Sequence, residues 1–274
     1  MKALDLFCGA GGATKGLQRA GFHVTGVDIS PQQRYCGDIF NQADAMEFPL
    51  GGYDFIWASP PCQRYTAGAK KWGTQDDHPD LIAPIRSRLL TNGVPFVIEN
   101  VETARPWLVD PVMLCGTQFG LGVFRHRLFE CRNPGSLLNL RVTPWTPCDC
   151  CGEFACNIHQ QHACDCPCPP IEEWGFYDPY GPVSIGQIPH LRHDGRIGDG
   201  KYMTVTGHSG GSSKRDGWKN GNVAQAKIAM GIDWMTWEEM AESIPPVFSE
   251  FIGRRVSELM GAEARAKGQK VELV

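Results

Sequence analysis

Short apolar segments alternate with helical segments over the first hundred residues, and this alternation constrains the fold more than any other feature of the chain. Helices are predicted over residues 14–20 and 79–90. Strands are predicted over residues 3–7, 23–27, 53–58 and 95–98. Repeated strand–helix units favour parallel strands with helices on both faces of the sheet. The sequence therefore predicts an α/β fold with a doubly wound, Rossmann-like sheet.

Residue types suited to chemistry or ligand binding follow the ends of these predicted strands. Gly9 follows the first strand, Asp28 the second, Cys62 the third and Glu99 the fourth. In open α/β sheets, ligands bind beyond the carboxyl ends of the strands. We therefore expect these four residues to share one rim of the sheet.

The segment from Asp5 to Gly12 reads Asp-Leu-Phe-Cys-Gly-Ala-Gly-Gly. Glycines directly after a buried strand allow the backbone to approach a ligand closely. Thr14 stands where the dinucleotide fingerprint has its third glycine, and no Gly-Lys-Ser/Thr of a P-loop follows. Together with Asp28, this loop suits the ribose of a nucleoside. A nicotinamide enzyme, a flavin enzyme or a merely tight turn would share the pattern.

Three further motifs carry candidate catalytic groups. Cys62 lies in the segment 59–63, Ser-Pro-Pro-Cys-Gln, where two prolines stiffen the chain. This context indicates a positioned thiolate nucleophile, with a buried structural thiol as the alternative. Glu99 is either a proton donor or acceptor, or a solvated loop acid. Arg125 and Arg127 precede apolar residues, and a strand there would place both side chains on one side. They could clamp a phosphate or order Glu99, with surface charge as the alternative.

In order and spacing, these motifs resemble the cytosine carbon-5 DNA methyltransferase family of bacterial or phage type. The resemblance covers roughly residues 1–131 and 223–256. The segments that carry it are Asp5 to Gly12, Val27-Asp28, Ser59 to Gln63, Glu99-Asn100-Val101, Arg125-His126-Arg127, Ala229 to Ile232 and Ile244 to Gly253.

The resemblance implies methyl transfer from S-adenosylmethionine to carbon 5 of cytosine in duplex DNA. Cys62 would add to carbon 6, and Glu99 would hydrogen-bond ring nitrogen 3 and the exocyclic amine. Arg125 and Arg127 would hold Glu99, the base or its phosphate. Because the target lies inside a base stack, the enzyme would first flip it out.

The resemblance also assigns residues to the methyl donor. Phe7 would stack on adenine, the glycine loop would wrap the methionine moiety, and Asp28 would bind the ribose hydroxyls. Asp44 would meet the adenine amine, and Pro60 would lie near the reacting methyl. The donor-binding residues implied are Phe7, Gly9, Gly11, Asp28, Ile29, Asp44 and Pro60.

Two segments depart from the family pattern. Val123 stands where the family usually has glutamine, two residues before the first arginine of its Arg-x-Arg pair. Ala241 and Glu242 stand where the closing segment usually carries Gly-Asn. The first departure affects contacts to base or backbone, and the second affects part of the donor pocket. Neither touches Cys62 or Glu99, so we expect activity.

Strand–helix alternation stops near residue 132, and helical patterns return after residue 222. We predict a catalytic, donor-binding domain over 1–131, a small, irregular domain over 132–222, and C-terminal helices over 223–274 that return to the catalytic domain. The resemblance implies that the middle domain is the target-recognition domain. These helices are predicted over 223–230, 236–241 and 246–260.

The predicted recognition domain is rich in cysteine and histidine, which makes a zinc site a hypothesis and free thiols the alternative. Zinc takes four such ligands in structural sites, so a subset would hold one or two ions. The candidate ligands are Cys148, Cys150, Cys151, Cys156, His159, His162, Cys164, Cys166 and Cys168.

The net charge of −4 does not by itself favour nucleic-acid binding, which would need a local basic surface. Two stretches could supply such a surface, with a solvated face as the alternative. The first carries Arg64, Lys70, Lys71, Arg86 and Arg88, and the second carries Lys201, Lys214, Arg215 and Lys219 around the glycine-rich segment 202–211. No signal peptide or membrane span is predicted. We expect a monomer in the cytoplasm of a bacterium or phage-infected cell, with duplex DNA as its partner.

Two other functions stay open at this point. The same scaffold would serve an RNA (tRNA) cytosine carbon-5 methyltransferase. A catalytically silent, zinc-containing DNA-binding protein is the second alternative, although intact Cys62 and Glu99 argue against it.

Overall fold

The computed structural model describes residues 1–123, 125–134, 205 and 222–266. Its centre is a seven-stranded sheet with the order β3-β2-β1-β4-β5-β7-β6. The strands are β1 Lys2–Leu6, β2 His23–Asp28, β3 Ile39–Gln42, β4 Phe55–Ala58, β5 Phe96–Val101, β6 Val112–Leu114 and β7 Arg127–Arg132. The helices are α1 Gly12–Arg19, α2 Ala67–Trp72, α3 Ile82–Asn92, α4 Val223–Met230, α5 Trp237–Glu242 and α6 Pro246–Ala266. The predicted doubly wound fold is confirmed.

Strands β1 to β5 pair in parallel, and only β7 runs antiparallel to β5 among the pairs whose register is defined. The central strands β1 and β4 consist almost wholly of buried residues, which is why they read as continuous apolar segments in the sequence. Their carboxyl ends, at Leu6 and Ala58, are paired with each other. The loops that follow them therefore start from the same edge of the sheet.

Strand β5 is longer than the sequence predicts. It continues through Glu99 and Asn100 to Val101, because β7 pairs with it in antiparallel register from Phe96↔Arg132 to Val101↔Arg127. Glu99 therefore lies within a strand rather than in the loop after it. The short elements β3 and α2 were not predicted, since neither shows a clear apolar period.

The chain divides into two compact units. The first unit comprises Met1–Met113, Arg127–Val142 and Ser243–Val274, and the second comprises Leu114–His126 and Thr143–Glu242. In the first unit, α6 packs on α1, where the Ser249 hydroxyl donates to the Ala13 carbonyl at 2.7 Å. Gly16 allows this close approach, because a Cβ there would collide with the Pro246 carbonyl. The C-terminal helix thus returns to the sheet-bearing unit, whereas most of the predicted recognition domain, 132–222, lies outside the described residues.

None of the helices in the described ranges has the length and apolar character needed to cross a lipid bilayer.

Candidate active site

The glycine loop after β1 is held in a left-handed backbone path. Phe7 has φ 59°, Gly9 φ 49° and Gly11 φ 91°. The Gly9 amide donates to Asp28 Oδ2 at 3.0 Å, and the Ser30 amide donates to Asp28 Oδ1 at 2.9 Å. One carboxylate therefore fixes the loops after β1 and β2 together. A Cβ added at Gly9 would meet no atom within 4 Å, so the space in front of the loop is open.

Asp5 lies fully buried beneath this loop. The Thr14 hydroxyl donates to Asp5 Oδ2 at 2.5 Å and lies 3.2 Å from the Tyr35 hydroxyl. Asp5 Oδ1 is buried without a hydrogen-bond partner in the described part of the chain. Desolvation raises the pKa of Asp5 from 3.8 to about 7, and the nearby Asp28 and Glu99 add to this effect. The residue is therefore partly protonated near neutral pH.

The segment after Asp28 folds back over the glycine loop, an arrangement that the sequence motifs did not predict. The Tyr35 ring occupies the space in front of Gly26 and Gly37, where a Cβ would collide with it. The Cys36 thiol donates to the Gly11 carbonyl at 3.2 Å. The two glycines that admit the ring are the sequence signal that could have revealed this contact.

Asp44 lies in a tight turn after β3. Its Oδ1 accepts the Met46 amide at 2.7 Å, and its carbonyl accepts the amides of Glu47 at 3.1 Å and Phe48 at 3.0 Å. The Asp44 side chain itself is exposed. Ile29 is also exposed, at 70% of its surface, which is unusual for a large apolar side chain next to a buried strand. Both side chains are therefore accessible to a ligand.

Cys62 lies in a loop that is fastened to both neighbouring strands. The Ser59 amide donates to the Leu6 carbonyl of β1 at 3.1 Å. The buried Asn100 amide group of β5 donates to the Pro60 carbonyl at 2.9 Å. The Cys62 carbonyl then accepts the Tyr65 amide at 2.9 Å, which begins a 3-10 turn. The half-buried thiol is thus held at the end of β4 because hydrogen bonds tie its loop to β1 on one side and to β5 on the other.

Glu99 lies on the strand adjacent to the one that leads to Cys62, and only 7% of its surface is exposed. Arg127 Nε lies 3.1 Å from Glu99 Oε1. Because Glu99 is opposite Phe129, Arg127 is its diagonal neighbour on the same face of the sheet. Of the roles considered for Arg127, the structure thus places it as the partner of Glu99.

Arg125 has a different environment. Strand β7 begins at Arg127, so one strand does not present both arginines as the sequence pattern predicted. Arg125 belongs to the second unit and is 2% exposed. Its guanidinium donates to the main-chain carbonyls of Val205 and Ala241, each at 2.6 Å. These bonds join three separate segments of the second unit, and a catalytic role for Arg125 stays a prediction.

The first basic stretch is mostly engaged in internal contacts. Arg64 Nη1 donates to the Gln75 and His78 carbonyls at 2.9 and 3.0 Å. Arg86 forms a two-pronged pair with the buried Glu130, at 2.8 and 2.7 Å. Arg88 likewise binds main-chain carbonyls. Within this stretch, the exposed cations are Lys70 and Lys71, beside the 74%-exposed Trp72.

Two of the residues that depart from the family pattern, Val123 and Ala241, have defined environments in the second unit. Val123 is fully buried and packs against Gly116 within the second unit. Ala241 contributes its carbonyl to Arg125, a contact that any residue type could make. The candidate zinc ligands all lie outside the described residues. The second basic stretch and segment 202–211 lie outside them too, apart from Val205. Within the described ranges, no group of three potential ligands could hold a metal ion.

Comparisons with known proteins agree with this geometry. Residues 1–105 match the family model of the C-5 cytosine-specific DNA methylase. The sequence shows no significant similarity to any curated protein.

One solved structure with a similar fold is a protein described as a DNA modification methyltransferase encoded within an E. coli prophage. Its TM-score is 0.54 and its sequence identity 17%, and the match covers 95% of this chain and 99% of the prophage protein. Dnmt2 of S. pombe gives a TM-score of 0.52 at 14% identity over 94% and 99%. The methyltransferase EhMeth of Entamoeba histolytica gives 0.51 at 12% identity over 95% and 98%.

The structural similarities support a methyltransferase fold across most of the chain. The matched residues 1–105 include the glycine loop, Asp28, Asp44, Cys62 and Glu99. The resemblance predicted from the motifs is therefore confirmed over residues 1–105, which match the model of the C-5 cytosine-specific DNA methylase family.

Proposed function

We propose that this protein transfers a methyl group from S-adenosylmethionine to carbon 5 of cytosine in DNA, with Cys62 as the nucleophile. The observation that carries the proposal is the hydrogen bond that fastens the Cys62 loop, at the end of β4, to the neighbouring strand β5, which carries Glu99. The Asn100–Pro60 hydrogen bond of 2.9 Å joins the strand of Glu99 to the loop of Cys62. A thiol and a carboxyl group held in this way suit addition to a pyrimidine ring and stabilisation of the adduct.

The residues of the glycine loop fit a nucleoside donor. Asp28 accepts one amide on each carboxylate oxygen, and each oxygen has a further lone pair for a ribose hydroxyl. The open space before Gly9 accommodates the methionine portion, and the exposed Ile29 and Asp44 are available to the adenine ring. When bound, the donor supplies an electrophilic methyl group.

The protein's own residues drive the remaining steps. The Cys62 thiolate forms a bond from Sγ to carbon 6, and the ring electrons move to carbon 5, which becomes nucleophilic. Glu99, oriented by Arg127, holds ring nitrogen 3 and the exocyclic amine as this charge develops. Carbon 5 would take the methyl group with S-adenosylhomocysteine as the leaving group, and loss of the carbon-5 proton to a base then returns the electrons to the ring. The bond between carbon 6 and Sγ then breaks, which releases the thiolate.

The target cytosine must leave its stack before Cys62 can reach carbon 6, so base flipping is part of the proposal. The choice of DNA as the substrate follows the family model and the similarity to the prophage DNA modification methyltransferase. Modification of RNA is the competing outcome, which a comparison of DNA with tRNA distinguishes.

The test is covalent trapping on polymers that carry 5-fluorocytosine. Purified protein and S-adenosylmethionine are incubated with long duplex DNA, or with tRNA, in which 5-fluorocytosine replaces cytosine. Fluorine at carbon 5 cannot leave as a proton does, so a nucleophile that has added stays attached. We expect a denaturant-stable DNA adduct with the wild type and none with Cys62→Ala.

Cys131→Ser is the matched control and should retain the adduct. Burial raises the pKa of the Cys131 thiol well above its ordinary value, so this thiol is a poor nucleophile. An adduct with tRNA alone would replace DNA by RNA as the substrate. The absence of an adduct on both polymers would overturn the enzymatic function. Bisulfite sequencing of DNA from expressing cells would then give the sequence context.

A further inference from the structure

We propose that Arg88 is a positioning residue for the adenine ring of the donor, because it fixes the turn that presents Asp44. This inference rests on the proposed function, since it concerns the donor that the enzyme would use. Arg88 lies on α3 and is far along the chain from every motif in the glycine loop. Neither the family motifs nor the strand-end pattern points to it.

The contacts of Arg88 bracket the turn. Its Nη1 donates to the Ala45 carbonyl and its Nη2 to the Phe48 carbonyl, both at 2.8 Å. Ala45 is 2% exposed, so its carbonyl has little access to water and depends on a protein donor. A planar guanidinium can satisfy two carbonyls at once, which a lysine cannot do with the same rigidity.

The same turn determines how Asp44 presents its carboxylate. One oxygen is committed to the Met46 amide at 2.7 Å, and the Asp44 carbonyl caps the next turn of chain. The exposed side chain therefore directs its second oxygen outward from a fixed backbone. If the carbonyls of Ala45 and Phe48 lost their donors, the turn would relax and this oxygen would lose its fixed position. Arg88 thus acts on the ligand through Asp44 rather than by contact.

A positioned carboxylate oxygen discriminates between purines. It accepts a hydrogen bond from the amine of adenine, whereas hypoxanthine presents an oxygen that it would repel. Wild-type protein should therefore bind S-adenosylhomocysteine about tenfold to a hundredfold more tightly than S-inosylhomocysteine, as a hydrogen bond to a charged group provides. In Arg88→Met this ratio should fall below about threefold, and Asp44→Ala should give a similar ratio.

The test is calorimetric titration of both ligands into five proteins: wild type, Arg88→Met, Arg88→Lys, Asp44→Ala and Asn92→Ala. Asn92 is the matched control, because it lies on the same helix and donates to the Leu50 carbonyl at 3.2 Å, farther from Asp44. It should keep the wild-type ratio. Arg88→Lys keeps the charge but satisfies one carbonyl, so its ratio should be intermediate. Should Arg88→Met not fold, the lysine variant alone carries the comparison.

The outcomes separate this inference from the proposed function. An unchanged ratio in both Arg88 variants, with tight wild-type binding of S-adenosylhomocysteine, would overturn the role of Arg88 and leave the proposed function intact. An equal loss of ratio in Asn92→Ala would assign the effect to general loosening of the segment and also overturn it. If the wild type bound neither ligand, the proposed function itself would fail, and the role of Arg88 with it.

Discussion

Replacing the buried Asp5 by asparagine should stabilise the protein at alkaline pH and not at acidic pH. The folded protein holds the pKa of Asp5 at about 7 instead of 3.8, because the carboxylate is desolvated. Stability that the neutral acid contributes is fully present below the unfolded-state pKa and is lost as pH rises through the folded-state value. The asparagine amide is neutral throughout and can still accept the Thr14 hydroxyl, so its variant escapes this loss.

The size of the effect follows from the two pKa values. The difference between 3.8 and about 7 corresponds to about 4 kcal/mol when Asp5 is fully ionised. Between pH 5 and pH 7, the free energy of unfolding of Asp5→Asn relative to the wild type should rise by roughly 2–3 kcal/mol, and above pH 8 it should level off. Urea unfolding followed by circular dichroism, at half-unit pH steps, measures this difference.

Asp77→Asn is the control, since it removes an exposed carboxylate from the same unit. Its effect on unfolding should stay within about 0.5 kcal/mol at every pH, as for surface substitutions in general. A difference between Asp5→Asn and the wild type that does not change from pH 5 to pH 8 would refute the reasoning. It would mean that the carboxylate is solvated in the folded protein, or that the Thr14 bond compensates for its burial.

Three further predictions concern packing, a buried ion pair and the cysteine-rich segment. Gly16→Ala should destabilise the protein by about 1–3 kcal/mol in urea unfolding, because the added methyl group would collide with the first carbonyl of α6. Gly51→Ala is the control and should be neutral in the same assay, because a Cβ there would meet no atom within 4 Å. Glu130→Gln should cost about 3–5 kcal/mol, because the half-buried Arg86 guanidinium loses its carboxylate partner and keeps only the Trp107 carbonyl; a cost below about 1 kcal/mol would contradict this. Elemental analysis should find about one or two zinc ions per chain, held within residues 148–168, and less than about half an equivalent would exclude the site.

The sequence predicts the strand-end residues well because their positions depend on local patterns. A buried strand reads as an apolar segment, and the chain must turn where that segment ends, so Gly9, Asp28 and Cys62 could be assigned to one rim without coordinates. The Asp5–Thr14 contact and the Tyr35 ring over Gly26 could not be predicted in this way. They join residues of different elements, so no spacing rule within one element encodes them, and only the glycines at positions 26 and 37 hint at the place of the Tyr35 ring.

The pairing of Glu99 with Arg127 was one of several options in the sequence, and the antiparallel register of β7 decided among them. The same register excluded the assumption that Arg125 shares a strand with Arg127. Register depends on which residues of two distant segments face each other, and here a shift of one residue would have moved Arg127 to the other face of the sheet. Such a choice depends on packing of the whole sheet and is invisible in a single sequence.

Counting basic residues misjudged the surface for a physical reason that separates arginine from lysine. Arg64, Arg86 and Arg88 each point their forked donors at main-chain carbonyls, because irregular loops beside a sheet leave such carbonyls without partners. Lysine, a strongly hydrated point charge, does not satisfy two carbonyls with one rigid group, and Lys70 and Lys71 accordingly stay exposed. In this part of the chain, the arginines fix loops, and the two exposed lysines supply the positive electrostatic potential that a nucleic acid would meet. The salt dependence of binding should therefore fall when Lys70 and Lys71 are replaced by glutamine, whereas loss of an arginine should lower stability first.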